Sequence, residues 1–344
     1  MSTASSPIGA SREVHPPKPA PESTSNVHTL SPQIYRFGFT GAGSDFAVIM
    51  LKNALLSILT LGIYHFYGKV HSRRFLWQSM HFAGARFVYT GNAAELIKAR
   101  LMLVAMMMGV FAVAGALGAA GLGPFVGIVV FAGLSLMGPW LTISMIRFRL
   151  SRTTWRGLKL GMLNVTSNYI KVWFKGWALT ILTLGYYGSW WSNDTWATIV
   201  NAVRLGSLQM RYTGRGEDLK WTFIKGYILS FLTLGLYAPW FIADVMRYRA
   251  KHTWLGNQTD GFARSHISIS GGEIFSQFFM QYLLLIFTLG LAMPWVITSS
   301  LRWFAGRLTF HGAINFAAVL QQQTEKRAGA FGDGIGDALD VGFG

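Results

Sequence analysis

The sequence contains no cysteine, which excludes disulfides, iron–sulfur clusters and thiolate zinc sites. Charge is scarce as well. Of 344 residues 13% are charged, where soluble domains carry about 25%. Hydrophobic residues make up 51% and mean hydropathy is +0.35, leaving too little polar surface to cover a globule in water. A membrane protein is expected. Also missing are H-E-x-x-H, a P-loop and a G-x-S-x-G elbow, and the repeated motif holds no paired carboxylate or nucleophile–base set, so no enzymatic activity and no cofactor are expected.

Acids are the scarcer sign of charge: 14 Asp and Glu stand against 30 Lys and Arg, a net charge of +16. The bases cluster just beyond apolar runs, as in Lys69, Arg73 and Arg74 or Arg147, Arg149 and Arg152, where positive-inside topology signals sit. Anionic phospholipid is therefore the expected partner, with self-association of the chain as a further expectation and nucleic acid not expected.

Residues 1–33, rich in Ser and Pro, are expected to form a disordered tail, and residues 319–344 a second flexible one. Between them, 34–318 reads as the membrane domain. Apolar segments near 46–67, 101–120, 125–146, 172–191, 222–241 and 276–299 approach the roughly 20 residues a helix needs to cross a bilayer. Gly121 to Pro124 is short enough to force the second and third into an antiparallel hairpin.

The chain repeats itself. Thr-Leu-Gly occurs at Thr60, Thr183, Thr233 and Thr288, each followed seven residues on by an aromatic: Tyr67, Trp190, Trp240 and Trp295. Arg74, Arg247 and Arg302 follow seven residues later, and a degenerate copy places Trp140 and Arg147 on the same ruler. Asp45, Glu95, Asn168, Asp218 and Glu273 mark five helix starts by capping or dipole preference. Alternating aromatics ending in Gly, at Phe37–Gly41, Phe87–Gly91, Met210–Gly214 and Leu308–Gly312, read as short strands. The expected fold is an all-α polytopic membrane protein of about five tandem repeats, each a transmembrane helix or hairpin, with short interfacial β-strands. Gly62, Gly185, Gly235 and Gly290 suit either a kink in a single span or the tip of a hairpin.

At these motifs the chain resembles the YjgN family of uncharacterised bacterial inner-membrane proteins, which share the T-L-G-I-Y-like core, the basic stretch after it and the F-x-Y-T-G ending. The resemblance covers roughly residues 34–318. It implies a multi-pass inner-membrane location and no established activity. Ala197 replaces Arg in the third unit and Ala292 replaces Tyr in the last, so neither residue is needed by every unit.

Three constellations could carry function. Lys52, Lys175 and Lys225 interrupt apolar runs and either snorkel to headgroups or form a basic ring for an anion or lipid phosphate. Arg74, Arg147, Arg247 and Arg302 suit headgroup phosphates. Tyr67, Trp140, Trp190, Trp240 and Trp295 read as an interfacial aromatic belt. His65, His71 and His81 lack helical metal spacing, and no metal is expected. Two functions fit: transport of a small or anionic solute, or a lipid- or partner-binding scaffold that moves nothing.

Overall fold

A computed structural model describes residues 31–258 and 261–316; the two predicted tails lie almost wholly outside these. Among the described residues are ten strands and ten helices. The strands are β1 (Gln33–Phe39), β2 (Met80–Phe82), β3 (Ala85–Tyr89), β4 (Thr153–Trp155), β5 (Leu158–Met162), β6 (Val203–Leu205), β7 (Leu208–Tyr212), β8 (Thr253–Asn257), β9 (Gly261–Ile267) and β10 (Leu308–Ile314). They pair antiparallel with their chain neighbours, and β1 pairs with β10, closing a barrel.

The all-α expectation is thereby overturned: the centre of the molecule is a closed ten-strand antiparallel β-barrel. The alternating aromatic segments are indeed strands, but they are not isolated interfacial pieces. The strands that three of the four form pair with a three-residue strand, β1 and β3 with Met80–Phe82 and β7 with Val203–Leu205; these short strands begin within three residues of a helix end and so read as helix. Two-residue turns join β2 to β3 and β4 to β5, with positive φ at Ala83, Gly84, Arg156 and Gly157, the backbone that a tight hairpin requires.

The barrel is filled, not hollow. Inward positions of successive strands supply Tyr35, Phe82, Trp155, Leu205, Leu208, Leu255, Ala263, Phe310 and Ile314, all buried. Phe316, just past β10, packs its ring edge-on against Tyr35 and Trp155 at 5.0 and 5.1 Å between centroids. The Tyr35 hydroxyl donates to Ile314 O at 3.1 Å and accepts from Ile314 N at 3.0 Å, fastening the seam between first and last strands.

Between strands the chain makes five helical hairpins: α1 (Gly43–Leu59) with α2 (His65–Ser79), α3 (Ala93–Ala119) with α4 (Gly123–Ser151), α5 (Thr166–Leu182) with α6 (Gly188–Val200), α7 (Gly216–Leu232) with α8 (Ala238–Lys251), and α9 (Gly271–Phe287) with α10 (Met293–Ala305). Because strands alternate in direction, all five hairpins leave one end of the barrel and all tight turns lie at the other. Neighbouring hairpins touch around the circle, α10 packing on α1 to close it.

The Thr-Leu-Gly breaks are hairpin tips, so the six apolar runs are not six single crossings. Among the described residues only α3 and α4 are long and apolar enough to span a bilayer; at 1.5 Å per residue they extend about 40 Å, against about 25 Å for α1, α5, α7 and α9. The residues named as helix starts sit in the first turn of each outgoing helix. Glu95 and Glu273 complete capping boxes with Asn92 and Ser270, satisfying backbone donors that would otherwise lack partners.

Candidate membrane-binding surface

The distal part of each hairpin is free of charge. Residues 53–68, 101–146, 176–193, 226–243 and 274–301 contain no Asp, Glu, Lys or Arg. At the four Thr-Leu-Gly tips the leucines Leu61, Leu184, Leu234 and Leu289 are 93 to 97% exposed. Ile58, Leu59, Ile63, Phe231, Leu232, Phe287 and Leu291 are exposed beside them. A lone exposed leucine needs no explanation, but repeated apolar patches of this kind mark contact with a nonaqueous partner.

The tip motif solves the problem such contact poses for the backbone. Thr60 Oγ1 donates to Leu56 O at 2.7 Å and accepts from Tyr64 N at 2.9 Å. Thr183 and Thr233 repeat both bonds within 0.1 Å, and Thr288 bonds Leu284 O and Ala292 N at 2.6 and 3.2 Å. The next residue, Leu, takes a left-handed φ of 49 to 51°. The Gly after it, at φ 85 to 93°, donates its N–H five residues back, as Gly235 does to Ser230 O at 2.6 Å. One hydroxyl therefore joins the last turn of one helix to the first of the next, as a turn without water requires.

Lys52, Lys175 and Lys225 are exposed on α1, α5 and α7, each about 13 Å along its helix from the barrel, at one level just below the charge-free arms. Lys225 Nζ lies 5.9 Å from the Tyr237 ring centroid. The four predicted arginines sit nearer the barrel and engage the protein itself. Arg74 Nη2 donates to Gly91 O at 3.3 Å, and Arg302 Nη2 to Gly41 O at 2.7 Å. Arg147 Nη2 donates to Asn164 Oδ1 and Thr166 Oγ1 at 2.8 and 2.6 Å, and Arg247 pairs with Asp244. In the third unit, where Ala197 stands at the Arg position, Asn193 Nδ2 donates to Gly214 O at 3.1 Å. The Gly closing F-x-Y-T-G is thus a recurrent acceptor that ties a helix of one unit to the next.

The remaining polar contacts at this level are also structural. The Tyr212 hydroxyl donates to Asn193 Oδ1 at 2.7 Å, and Tyr248 to Asp218 Oδ2 at 2.6 Å while accepting from Arg215 N. Burial, then the bond to Asp218, pushes the Tyr248 pKa up to about 12, so both roles persist at neutral pH. Arg249, held below its ordinary pKa by burial, donates to Ser192 and lies 4.6 Å from the Trp196 ring.

The predicted aromatic belt has a packing role. Tyr67, Trp240 and Trp295 are 50, 39 and 47% exposed, and Trp140 and Trp190 are half-buried. Trp190, Trp240 and Trp295 press on the glycine opening the next hairpin, Gly216, Gly271 and Gly43. A Cβ on Gly216 or Gly271 would lie 2.6 Å from the Trp190 or Trp240 Cα, so backbone would have to move. Gly271→Ala is therefore expected to lower stability by about 1–3 kcal/mol, whereas Gly272→Ala, with open space around its Cβ, should raise it by about 0.4–1 kcal/mol. Paired thermal melts in one detergent check this contrast; equal shifts would remove the interlock.

The structure also gathers residues that sequence reasoning did not combine. Ser57, Gly62, His65, Phe66, Lys69, Leu96 and Arg100 line a cavity of about 300 Å³ between the first hairpin and α3. Lys69 belongs to a recognised basic cluster, but Arg100 lies in the next unit, and no spacing rule links them. A second cavity, about 540 Å³, opens at the turn end of the barrel beside Arg36, His81 and Arg156.

No solved structure matches the chain. It is 26% identical over 146 residues to "Inner membrane protein YjgN" of Salmonella typhimurium, an alignment covering 42% of this chain and 35% of that protein, so the match spans about a third of the relative's length. The family described as "Bacterial protein of unknown function (DUF898)" matches residues 34–219, 189–263 and 253–338. With nearly all of the barrel and hairpins inside those matches, the chain belongs to this family of bacterial proteins of unknown function, as its YjgN resemblance implies; the two long apolar helices and the likeness to an inner membrane protein support a membrane location.

Proposed function

We propose that this protein is a scaffold of the bacterial inner membrane that seats a β-barrel against the cytoplasmic leaflet and engages its lipids. The observation that carries the reading is the set of four exposed tip leucines on turns whose backbone groups are satisfied internally. On this reading α3 and α4 cross the membrane. Their charge-free arms, 101–119 and 123–146, run about 28 and 36 Å, enough for a hydrocarbon core of about 30 Å. The arms 53–59, 176–182 and 226–232 run about 10 Å beyond their lysines and enter one leaflet only.

Orientation follows from charge. No strand among the described residues contains Asp or Glu, while Arg36, Arg86, Lys159, Arg204, Arg211 and Arg264 lie on strands. Basic residues collect at the barrel end and are missing from the hairpin tips, which favours a cytoplasmic barrel. The alternative of solute transport has less support, because among the described residues just two helices, α3 and α4, are long and apolar enough to cross, too few to enclose a path within one chain.

The Cys-free chain allows a direct test with Leu61→Cys, Leu234→Cys, Leu122→Cys and Arg86→Cys in proteoliposomes. Cys at 61 and 234 should resist an impermeant thiol reagent from both sides and, once coupled to a membrane-permeant fluorophore, be quenched by acyl-chain nitroxides. Positions 122 and 86 should label from opposite faces. Labelling of 61 and 234 from water would overturn the seating. Liposomes carrying the protein should remain as tight to phosphate and chloride as empty ones; a protein-dependent flux would restore the transport reading.

A further inference from the structure

The cavity between the first hairpin and α3 is cationic and has no acid in its wall. Lys69 and Arg100 face it from α2 and α3, His65 lies one turn from Lys69, and Ser57 adds a hydroxyl. Arg73 stands one turn behind Lys69; its Nη1 donates to Tyr89 OH at 3.2 Å, while its buried Nη2 has no partner. Glu95, the acid nearest on α3, is already paired with Arg152 at 2.7 Å. Burial first, then the like charges of Arg73 and Arg100, holds the Lys69 ammonium below its ordinary pKa.

Depth and surroundings narrow the ligand. Arg100 stands about 10 Å, and Lys69 about 15 Å, along their helices from the barrel, the level of Lys52, Lys175 and Lys225. Beyond Arg100, the exposed Leu101, Val104 and Met108 form an apolar stripe up α3 at helical spacing. A cation pair at headgroup depth with an acyl-sized apolar track above it matches a phospholipid more closely than a free ion.

We propose that this cavity binds the phosphate group of an anionic phospholipid, with Lys69 and Arg100 as its principal ligands, His65 and Ser57 as further hydrogen-bonding groups, and the acyl chains against Leu101, Val104 and Met108. The proposal rests on the seating of the hairpins in the bilayer, which the tip cysteines test separately. The site belongs to the seam beside the long hairpin, where the following helix, α3, runs further past the cavity level than α5, α7 or α9 do at theirs.

The test uses the full chain in detergent, with phosphatidylglycerol added and retained lipid counted by native mass spectrometry. Lys69→Ala and Arg100→Ala should each weaken retention of one lipid by roughly tenfold or more, the loss of a charge-assisted hydrogen bond. Lys171→Ala, exposed on α5 and outside the cavity, should leave it unchanged, and thermal melts should show all three variants folded. Phosphatidylcholine should not occupy the site, and millimolar inorganic phosphate should not displace phosphatidylglycerol. Retention unaffected by both cavity variants would overturn the proposal. Displacement by inorganic phosphate alone would overturn the lipid source and make the cavity a soluble-phosphate site. If tip cysteines prove water-accessible while the cavity variants still lose lipid, the membrane seating fails and the site stands.

Discussion

Replacing Thr233 by valine in a bilayer is expected to lower the unfolding free energy by about 1–3 kcal/mol, the cost of leaving one backbone group without its partner away from water. Valine keeps the shape and β-branching of threonine, so the change isolates the hydroxyl. That hydroxyl donates to Leu229 O at 2.6 Å and accepts from Tyr237 N at 3.0 Å, and neither group has water to turn to if the tip lies in hydrocarbon. Thr233→Ser should restore most of the loss. The four tips belong to separate hairpins, so Thr60→Val, Thr183→Val, Thr233→Val and Thr288→Val should add nearly independently. Denaturation in detergent and in bilayers gives the decisive comparison. A larger loss in bilayers supports tips held away from water; equal, negligible losses in both would mean that the hydroxyls do not stabilise the turns.

Trp155→Ala should be the most damaging single change in the barrel, at about 3–5 kcal/mol. The side chain is fully buried, its Nε1 donates to Phe82 O at 3.1 Å, and its ring meets those of Phe82 and Phe316 at 5.8 and 5.1 Å. Truncation leaves a void between strands drawn from both ends of the chain and strands a carbonyl within it. Trp155→Phe keeps most of the volume and loses the hydrogen bond, so it should cost about 1–2 kcal/mol. Chemical denaturation followed by far-ultraviolet circular dichroism measures both. A near-neutral Trp155→Ala would mean that the barrel interior is hydrated and is not the packed core that its buried aromatics form.

Much of the candidate surface was legible in the residues. Thr-Leu-Gly at fixed distances from an aromatic and an arginine announced a repeated turn, and the clean apolar runs announced a membrane. Roles were harder to read. Arg74 and Arg302 looked like headgroup ligands, yet they donate to Gly91 O and Gly41 O; a guanidinium suits a backbone carbonyl as well as a phosphate, and only position separates the two. Trp295 resembles a belt residue from its place near a span end, but its partner Gly43 lies at the far end of the chain.

The sequence alone determined the membrane setting, the repeat and its helix starts, because hydropathy, capping and glycine turns are local properties written in neighbouring residues. Tertiary structure decided that the breaks are hairpin tips, that three-residue strands hidden at helix ends join the visible ones, and that β1 meets β10 to make a closed barrel. It also decided that Lys69 and Arg100 share a cavity. Strand pairing and convergence of side chains depend on which distant segments lie side by side, and a periodic sequence carries no local signal for how its units close into a ring.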